Sequence, residues 1–400
     1  MRIGNKKIAI KNLQLESRLC ECCGGNGLEL LWSGQSNIKT RYHIYAFPAH
    51  LVICRRCGFC FNSPCPTQES LNQFYAEEIP FYRGQPLPYS IESRQEILKG
   101  YYSKNSNLVD VGGNNSQEFH SKLAPYFKSV KNIELNEKCP SDVRSLRKLD
   151  KKVDVITQYD VLEHISGVRD FLTTCYNVLS DRGIMIIEVP DVRLYPRNLM
   201  MFSVVHVNHF SVTTLATIAK SIGFKLIRVS HSECSRPLGF VSVYEKNIPA
   251  PPPKNYTDYF EYLDTLSCIQ GGIKQINNFL AQIELLKTKI IKLGLESKKI
   301  TLWCVTDFMR LLLDDFKLPK TAIVIDSDSE KANSLEEKNI RVFSPPNKLE
   351  HIKNSALLVI FSPRNKTNIL EWIHQKTGKR FGERNTETVG CGLFGEPLQV

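Results

Sequence analysis

Long apolar runs are missing from this 400-residue sequence. No stretch nears the roughly twenty consecutive apolar residues that span a bilayer, so a membrane-embedded protein is not expected. The opening Met1-Arg-Ile-Gly-Asn-Lys-Lys7 lacks the apolar centre of an export signal, and a cytoplasmic location is the expectation that follows. Blocks of like charge are missing as well, because the formal net charge of +11 is carried by scattered Lys and Arg. Such a balance invites a polyanionic partner, nucleic acid or a nucleotide-activated substrate, but with no block of Lys and Arg it better describes a solvated basic surface. Nor is there a full Gly-x-Gly-x-x-Gly turn, which removes the cradle that a dinucleotide pyrophosphate needs.

What remains is an ordinary soluble composition, 42% hydrophobic and 23% charged, with a length that suits two or three domains. Cysteine is plentiful at thirteen residues, and the absence of an export signal argues against a disulfide framework. Four cysteines fall as Cys20-x-x-Cys23 and Cys54-x-x-Cys57, the pairing that a tetrahedral zinc ion takes: each knuckle presents two thiolates from one turn, and the second pair closes the shell. Gly24-Gly25 and Gly58 follow the knuckles, where a left-handed residue is useful. Cys22, Cys60 and Cys65 compete as ligands. A closed four-thiolate shell has no open position, so this Zn2+ is expected to be structural.

Residues 107–116, Asn-Leu-Val-Asp-Val-Gly-Gly-Asn-Asn-Ser, read as a buried strand ending in a tight turn that opens into a helix over 117–127. Gly112 and Gly113 let backbone approach a ligand beyond the carboxyl end of the strand, and Asp110 and Asn114 belong to the same candidate site. The next strand carries Glu134 near its end, the distance downstream at which an acidic side chain accepts both ribose hydroxyls. A nucleoside without phosphates is the expected ligand. The strand at 153–157 then breaks into a loop holding Gln158 and Asp160, assigned to the cofactor side, followed by Glu163 and His164 as positioning residues.

Together with Leu179-Ser-Asp-Arg-Gly-Ile-Met-Ile-Ile-Glu-Val-Pro190 and His206-Val-Asn-His-Phe-Ser211, these motifs resemble the class I S-adenosylmethionine-dependent methyltransferases. They are most similar to the branch of zinc-module-containing sugar C-methyltransferases. That branch commonly has Gly-x-Asn-Asp-Gly at the turn, matched here at Gly112 and Asn114 and not at Asn115 and Ser116. Cys54-Arg-Arg-Cys-Gly58 fits its N-terminal zinc module. The resemblance implies an α/β Rossmann-like methyltransferase sheet, S-adenosylmethionine as cofactor, a nucleotide-linked sugar as substrate in polysaccharide or secondary-metabolite synthesis, and a second Rossmann-like domain at the C-terminus.

Within that resemblance His206 is the candidate general base, with His209 beside it; both also suit a loop-orienting role. In the similar enzymes Tyr stands where this chain has His209, and another Tyr where it has Ser203. C-methylation loses support from those changes, and O- or N-methylation stays open beside it. No Asn-Pro-Pro-Tyr tetrapeptide follows the strand at 153, and Cys175 falls in the following helix and not in the loop, so methylation of a nucleic-acid base is disfavoured. The contrasting expectation is a non-catalytic binding or scaffold protein with a degenerate site.

The expected domains are a zinc module (1–70), a methyltransferase domain (71–247), a Pro-rich linker with a long amphipathic helix (248–298), and a C-terminal domain (299–400). In the connector, Tyr75, Tyr82 and Tyr89 either cap the cofactor site or pin the segment to the domain. Core strands are predicted at 108–111, 130–134, 153–157, 184–189 and 224–229, with 240–245 as an antiparallel edge strand. The polar stretch 139–152 is poorly patterned where a further strand is expected. Gly271-Gly272 is a predicted interruption of the long helix, and residues 381–400 carry no pattern.

Overall fold

A computed structural model of the chain describes residues 2–3, 6–7, 9–39, 43–77, 88–113, 116–136, 139–197, 206–235, 238–248, 256–306, 309, 312–313, 316–328, 335, 340–362 and 365–389. Two compact units divide it, 8–196 with 200–271, and 272–400 with 1–7 and 197–199.

In the first unit, short Val- and Ile-rich runs separated by helical segments build one six-stranded sheet. Its strands are β1 (Ser103–Val111), β2 (Phe127–Ile133), β3 (Val153–Tyr159), β4 (Leu179–Pro190), β5 (Phe224–Ser230) and β6 (Gly239–Lys246), in the spatial order β2-β1-β3-β4-β6-β5. β1 to β4 run parallel and β6 is antiparallel to both of its neighbours. The antiparallel strand is therefore inserted between β4 and β5, and the edge position expected for it belongs to β5. Its burial explains the difference: Phe240, Val241, Val243 and Tyr244 are all buried, a pattern that an edge strand does not need. No strand forms at 139–152 among the described residues; a single bridge between Ile133 and Val143 and a turn over Leu146–Lys148 occupy that place. The helix predicted over 117–127 stops at Leu123, where Pro125 cannot supply a backbone N–H, and Phe127 begins β2.

The two faces of the sheet pack differently. Leu108, Val155 and Ile186 meet Ile91, Ile97 and Leu98 of the helix Pro88–Leu98 and the strand beyond it. Val109, Ile156 and Ile187 share a core with Cys20, Cys22, Cys54, Phe59, Phe61 and Phe210. The cysteine-rich segment and the α/β sheet thus have one continuous apolar interior, which is why the first two expected domains fall in one unit. The cysteine segment has its own sheet, in which His43–Cys54 pairs antiparallel with Leu28–Lys39 and with Cys60–Asn62. Cys60–Asn62 also pairs with Asn208–His209, so a strand from the α/β part completes the small sheet.

The long helix runs unbroken over Tyr259–Leu295, through Gly271-Gly272. The two units divide at those glycines all the same. Phe279, Ile283, Leu286 and Ile290, spaced three or four apart, lie in the core of the second unit with Ile300, Leu302, Val324 and Val359. That unit holds a five-stranded parallel sheet in the order Val342–Phe343, Ala322–Ile325, Ile300–Trp303, Leu357–Ile360, Thr386–Thr388. Its last strand lies in the stretch expected to carry no pattern. Three residues of a polar Thr-Glu-Thr cannot signal a strand by themselves; pairing with Leu357–Ile360 makes them one. Pro249-Ala-Pro-Pro-Pro253 of the linker, Tyr82 and the side chain of Tyr89 lie outside the described residues.

Candidate functional site

The paired cysteines fold as two knuckles. Gly24 N–H donates to Cys20 O at 2.7 Å and Gly58 N–H to Cys54 O at 2.9 Å. Gly24 and Gly58 have φ of +71° and +72°, the left-handed geometry that turns each knuckle back. At Gly58 a side chain is excluded twice, since its Cβ would stand 2.6 Å from Glu261 O. The thiols of Cys20, Cys23, Cys54 and Cys57 all lie within 4.8 Å of one another, with Sγ···Sγ distances of 3.5 Å for Cys20–Cys57 and Cys23–Cys54. A tetrahedral zinc shell with Zn–S near 2.3 Å needs about 3.8 Å between sulfurs, so the donor set and its spacing fit Zn2+. The competing cysteines stay outside: Cys22 Sγ faces Thr214 O at 3.9 Å, and burial pushes the thiols of Cys60 and Cys65 up, away from thiolate.

At the carboxyl end of β1, Gly112 N–H donates to Ile133 O at 2.8 Å, fastening the turn to the end of β2. Gly112 has φ +72°, and a Cβ there would meet Val161 Cγ2 at 2.5 Å. A Cβ on Gly113 would stand 2.5 Å from Asn132 Oδ1 and 2.7 Å from Asp110 Oδ2. Both positions therefore demand glycine. Asp110 is buried and engaged internally, accepting from Thr157 Oγ1 at 2.7 Å and pairing with His120 Nε2 at 2.8 Å, so it braces the turn from beneath. Glu134 follows β2 directly and is half-buried, one oxygen accepting from Asn136 N–H at 2.9 Å. Asn114 lies outside the described residues.

Gln158 stands beside Val111 in the β3–β1 register, one residue before the glycine turn. It is 1% exposed, and neither polar atom of its amide has a hydrogen-bond partner. A buried amide that bonds to nothing is costly, and a ligand offering both a donor and an acceptor would relieve it. Asp160 takes a positive φ of 55° and its N–H donates to Glu188 O at 3.0 Å, which turns the chain out of the sheet at this point. Glu188 itself accepts from Ser235 N–H at 2.8 Å and from the Ser235 hydroxyl, and burial raises its carboxyl above the usual range. It thereby ties Ser235 to the sheet.

The turn Leu162–His164 comes next, and it brings Glu163 and His164 to His206. One ligand-type atom from each of the three lies within 4.8 Å of the others, and the two imidazole centroids are 4.9 Å apart. Tyr75, from the helix Gln68–Glu77, is hydrogen-bonded to His164 Nδ1 at 2.9 Å. Glu163 is buried while His164 and His206 are half-buried. His209 is elsewhere: its Nδ1 bonds the Tyr195 hydroxyl at 2.5 Å, and burial, aided by nearby Arg18, holds its pKa down to about 3. An imidazole that weakly basic and fully enclosed is poorly placed to take a proton from an acceptor.

Sequence reasoning placed Glu163 and His164 as positioning residues and so missed their convergence on His206. Arg18 and Arg94 went unnoticed altogether. The guanidinium of Arg18 donates to Asn62 O (3.1 Å), Ser166 O (2.6 Å) and Val207 O (2.5 Å), tying the cysteine segment to both loops of the histidine cluster. Arg94, from the helix before β1, lies 4.0 Å above the Tyr159 ring with its Nε unpartnered. Neither arginine sits in a motif, so no spacing could have found it.

Residues 83–229, which take in the glycine turn, Gln158 and the histidine cluster, match the family model for a methyltransferase domain. No curated protein matches the chain. Among solved structures, an S-adenosylmethionine-dependent methyltransferase from Mesorhizobium loti is similar at 14% identity, covering 38% of this chain and 98% of its own, with a TM-score of 0.32. One from Archaeoglobus fulgidus is similar at 17% identity, covering 41% and 96%, with a TM-score of 0.33. The 1,6-didemethyltoxoflavin-N1-methyltransferase of Burkholderia thailandensis, with bound 1,6-didemethyltoxoflavin and S-adenosylhomocysteine, is similar at 14% identity, covering 40% and 79%, with a TM-score of 0.32.

Proposed function

We propose that the chain is an S-adenosylmethionine-dependent methyltransferase acting on a small molecule. A nucleotide-linked sugar is the acceptor that the resemblance to sugar C-methyltransferases suggests, with the parallel C-terminal sheet as the Rossmann-like domain that goes with it. The observation that carries the reading is the buried, unpartnered amide of Gln158 beside the glycine turn, inside the segment that matches a methyltransferase domain.

S-adenosylmethionine brings an electrophilic methyl group on a sulfonium, so the protein has to supply alignment and a deprotonated acceptor. Gly112 and Gly113 keep side chains out of the turn, and Gln158 offers one donor and one acceptor, as an adenine edge or an amino-acid head would use. Glu134 stands where a ribose would be held. The acceptor side is assigned to Glu163, His164 and His206, on the loop that follows the cofactor-facing residues. His209 is left with a positioning part.

Calorimetric titration of the zinc-loaded protein with S-adenosylmethionine, and separately with S-adenosylhomocysteine, tests the reading. Binding in the micromolar range, on the order of −8 kcal/mol, is expected. Gly113→Ala should weaken it more than tenfold, because Asn132 and Asp110, each held by its own hydrogen bonds, would have to shift to admit the methyl group. Absence of binding by either compound would overturn the proposal.

A further inference from the structure

Three chemically matched donors converge at Glu163, His164 and His206, well apart in kind from the four thiolates. Glu163 Oε1 lies 3.8 Å from His164 Nε2, and the His206 donor lies within 4.8 Å of both. Ligands on a shared cation at 2.0–2.2 Å stand about 3–3.5 Å apart, so the donors would have to close by up to about 1.5 Å. The turn Leu162–His164 is itself held, since Asn208 Nδ2 donates to Leu162 O at 3.2 Å and to Ile165 O at 2.6 Å.

A second feature points the same way. A metal-bound imidazole uses one nitrogen as ligand and gives its other N–H to a fixed acceptor, which sets the tautomer. His164 has that arrangement: Nδ1 is bonded to the Tyr75 hydroxyl at 2.9 Å and Nε2 faces Glu163. The Tyr75 hydroxyl oxygen is placed to accept the Nδ1 proton. The donor set also differs in preference from the thiolates: two imidazoles and a carboxylate suit first-row divalent cations such as Zn2+, Fe2+ or Co2+.

We propose that Glu163, His164 and His206 form a second divalent-cation site, with Tyr75 orienting His164 from behind. Three protein ligands leave coordination positions for water or for an acceptor oxygen, unlike the closed cysteine shell. Its part in methyl transfer, lowering the pKa of a coordinated acceptor hydroxyl, rests on the function proposed above; the binding of the cation does not.

The test is a Co2+ titration of the full-length protein with zinc already in the cysteine site, in the absence of S-adenosylmethionine. One further equivalent should bind with weak visible d–d bands and no sulfur-to-cobalt charge transfer. His206→Ala and Glu163→Gln should each weaken that binding at least tenfold, and Tyr75→Phe by about tenfold through loss of the orienting bond. In every variant one zinc per chain and the wild-type melting temperature should be retained. Failure to take up cobalt beyond any exchanged into the cysteine site, or uptake indifferent to both ligand substitutions, would overturn the proposal. Cofactor titration run separately tells the two readings apart: cobalt uptake without cofactor binding sinks the methyltransferase, and the reverse sinks the second metal.

Discussion

His209 shows how one residue's surroundings decide its chemistry. It lies three positions after His206 in the same motif, yet it is enclosed and bonded to Tyr195, and its pKa is lowered to about 3. An unfolded histidine titrates near 6.5, so between that value and about 3 the unfolded chain holds a proton that the folded chain refuses. Stability is then greater at higher pH and falls as pH drops through this window. Between pH 7.5 and 5 the residue should cost about 2 kcal/mol. Urea unfolding at both values checks this: His209→Gln should lose less stability on acidification than the wild type does, by about that amount. An identical loss in the two proteins would mean that His209 is protonated in the fold. His206, half-buried and outside the strand Asn208–His209, has no such enclosure, so two histidines that look equivalent in sequence have different surroundings.

At the level of elements, the decisive join is between Cys60–Asn62 and Asn208–His209. The first strand leaves the second knuckle three residues after Cys57, and the second leaves the histidine cluster two residues after His206. Arg18 reinforces the same join from the first knuckle's side. The cysteine cluster is therefore joined to the segment that carries His206 through backbone pairing. Removing zinc with a strong chelator, or replacing Cys54 by Ser, should lower the melting temperature by on the order of 10 °C. It should also weaken Co2+ uptake at Glu163, His164 and His206. Melting unchanged by chelation would deny the cysteines a structural metal.

For the whole molecule, the helix Tyr259–Leu295 crosses the division between the two units at Gly271-Gly272. Ile269 is buried in its first part, whereas Phe279, Ile283, Leu286 and Ile290 belong to the interior of the second unit. Since the glycine turn, Gln158 and the histidine cluster all lie in the first unit, a chain ending at Gly271 should bind S-adenosylmethionine within about threefold of the full chain. Calorimetry on that shortened protein checks it; a much larger loss would place part of the cofactor site in residues 272–400.

Much of this was legible from residue order. The paired cysteines, the glycine turn and the alternating apolar runs report local geometry, and local geometry follows from spacing: a knuckle needs two thiols and a left-handed residue, a buried parallel strand needs consecutive Val and Ile. Tertiary structure alone decided the rest. It set β6 inside the sheet, because pairing depends on which face is covered; it made Thr386–Thr388 a strand, because the neighbour supplies the bonds. It also brought Tyr75, Glu163, His164 and His206 together from three distant segments, and enclosed His209 while leaving His206 half-open. Convergence and burial are properties of packing between segments far apart in the chain, and no single stretch of sequence carries them.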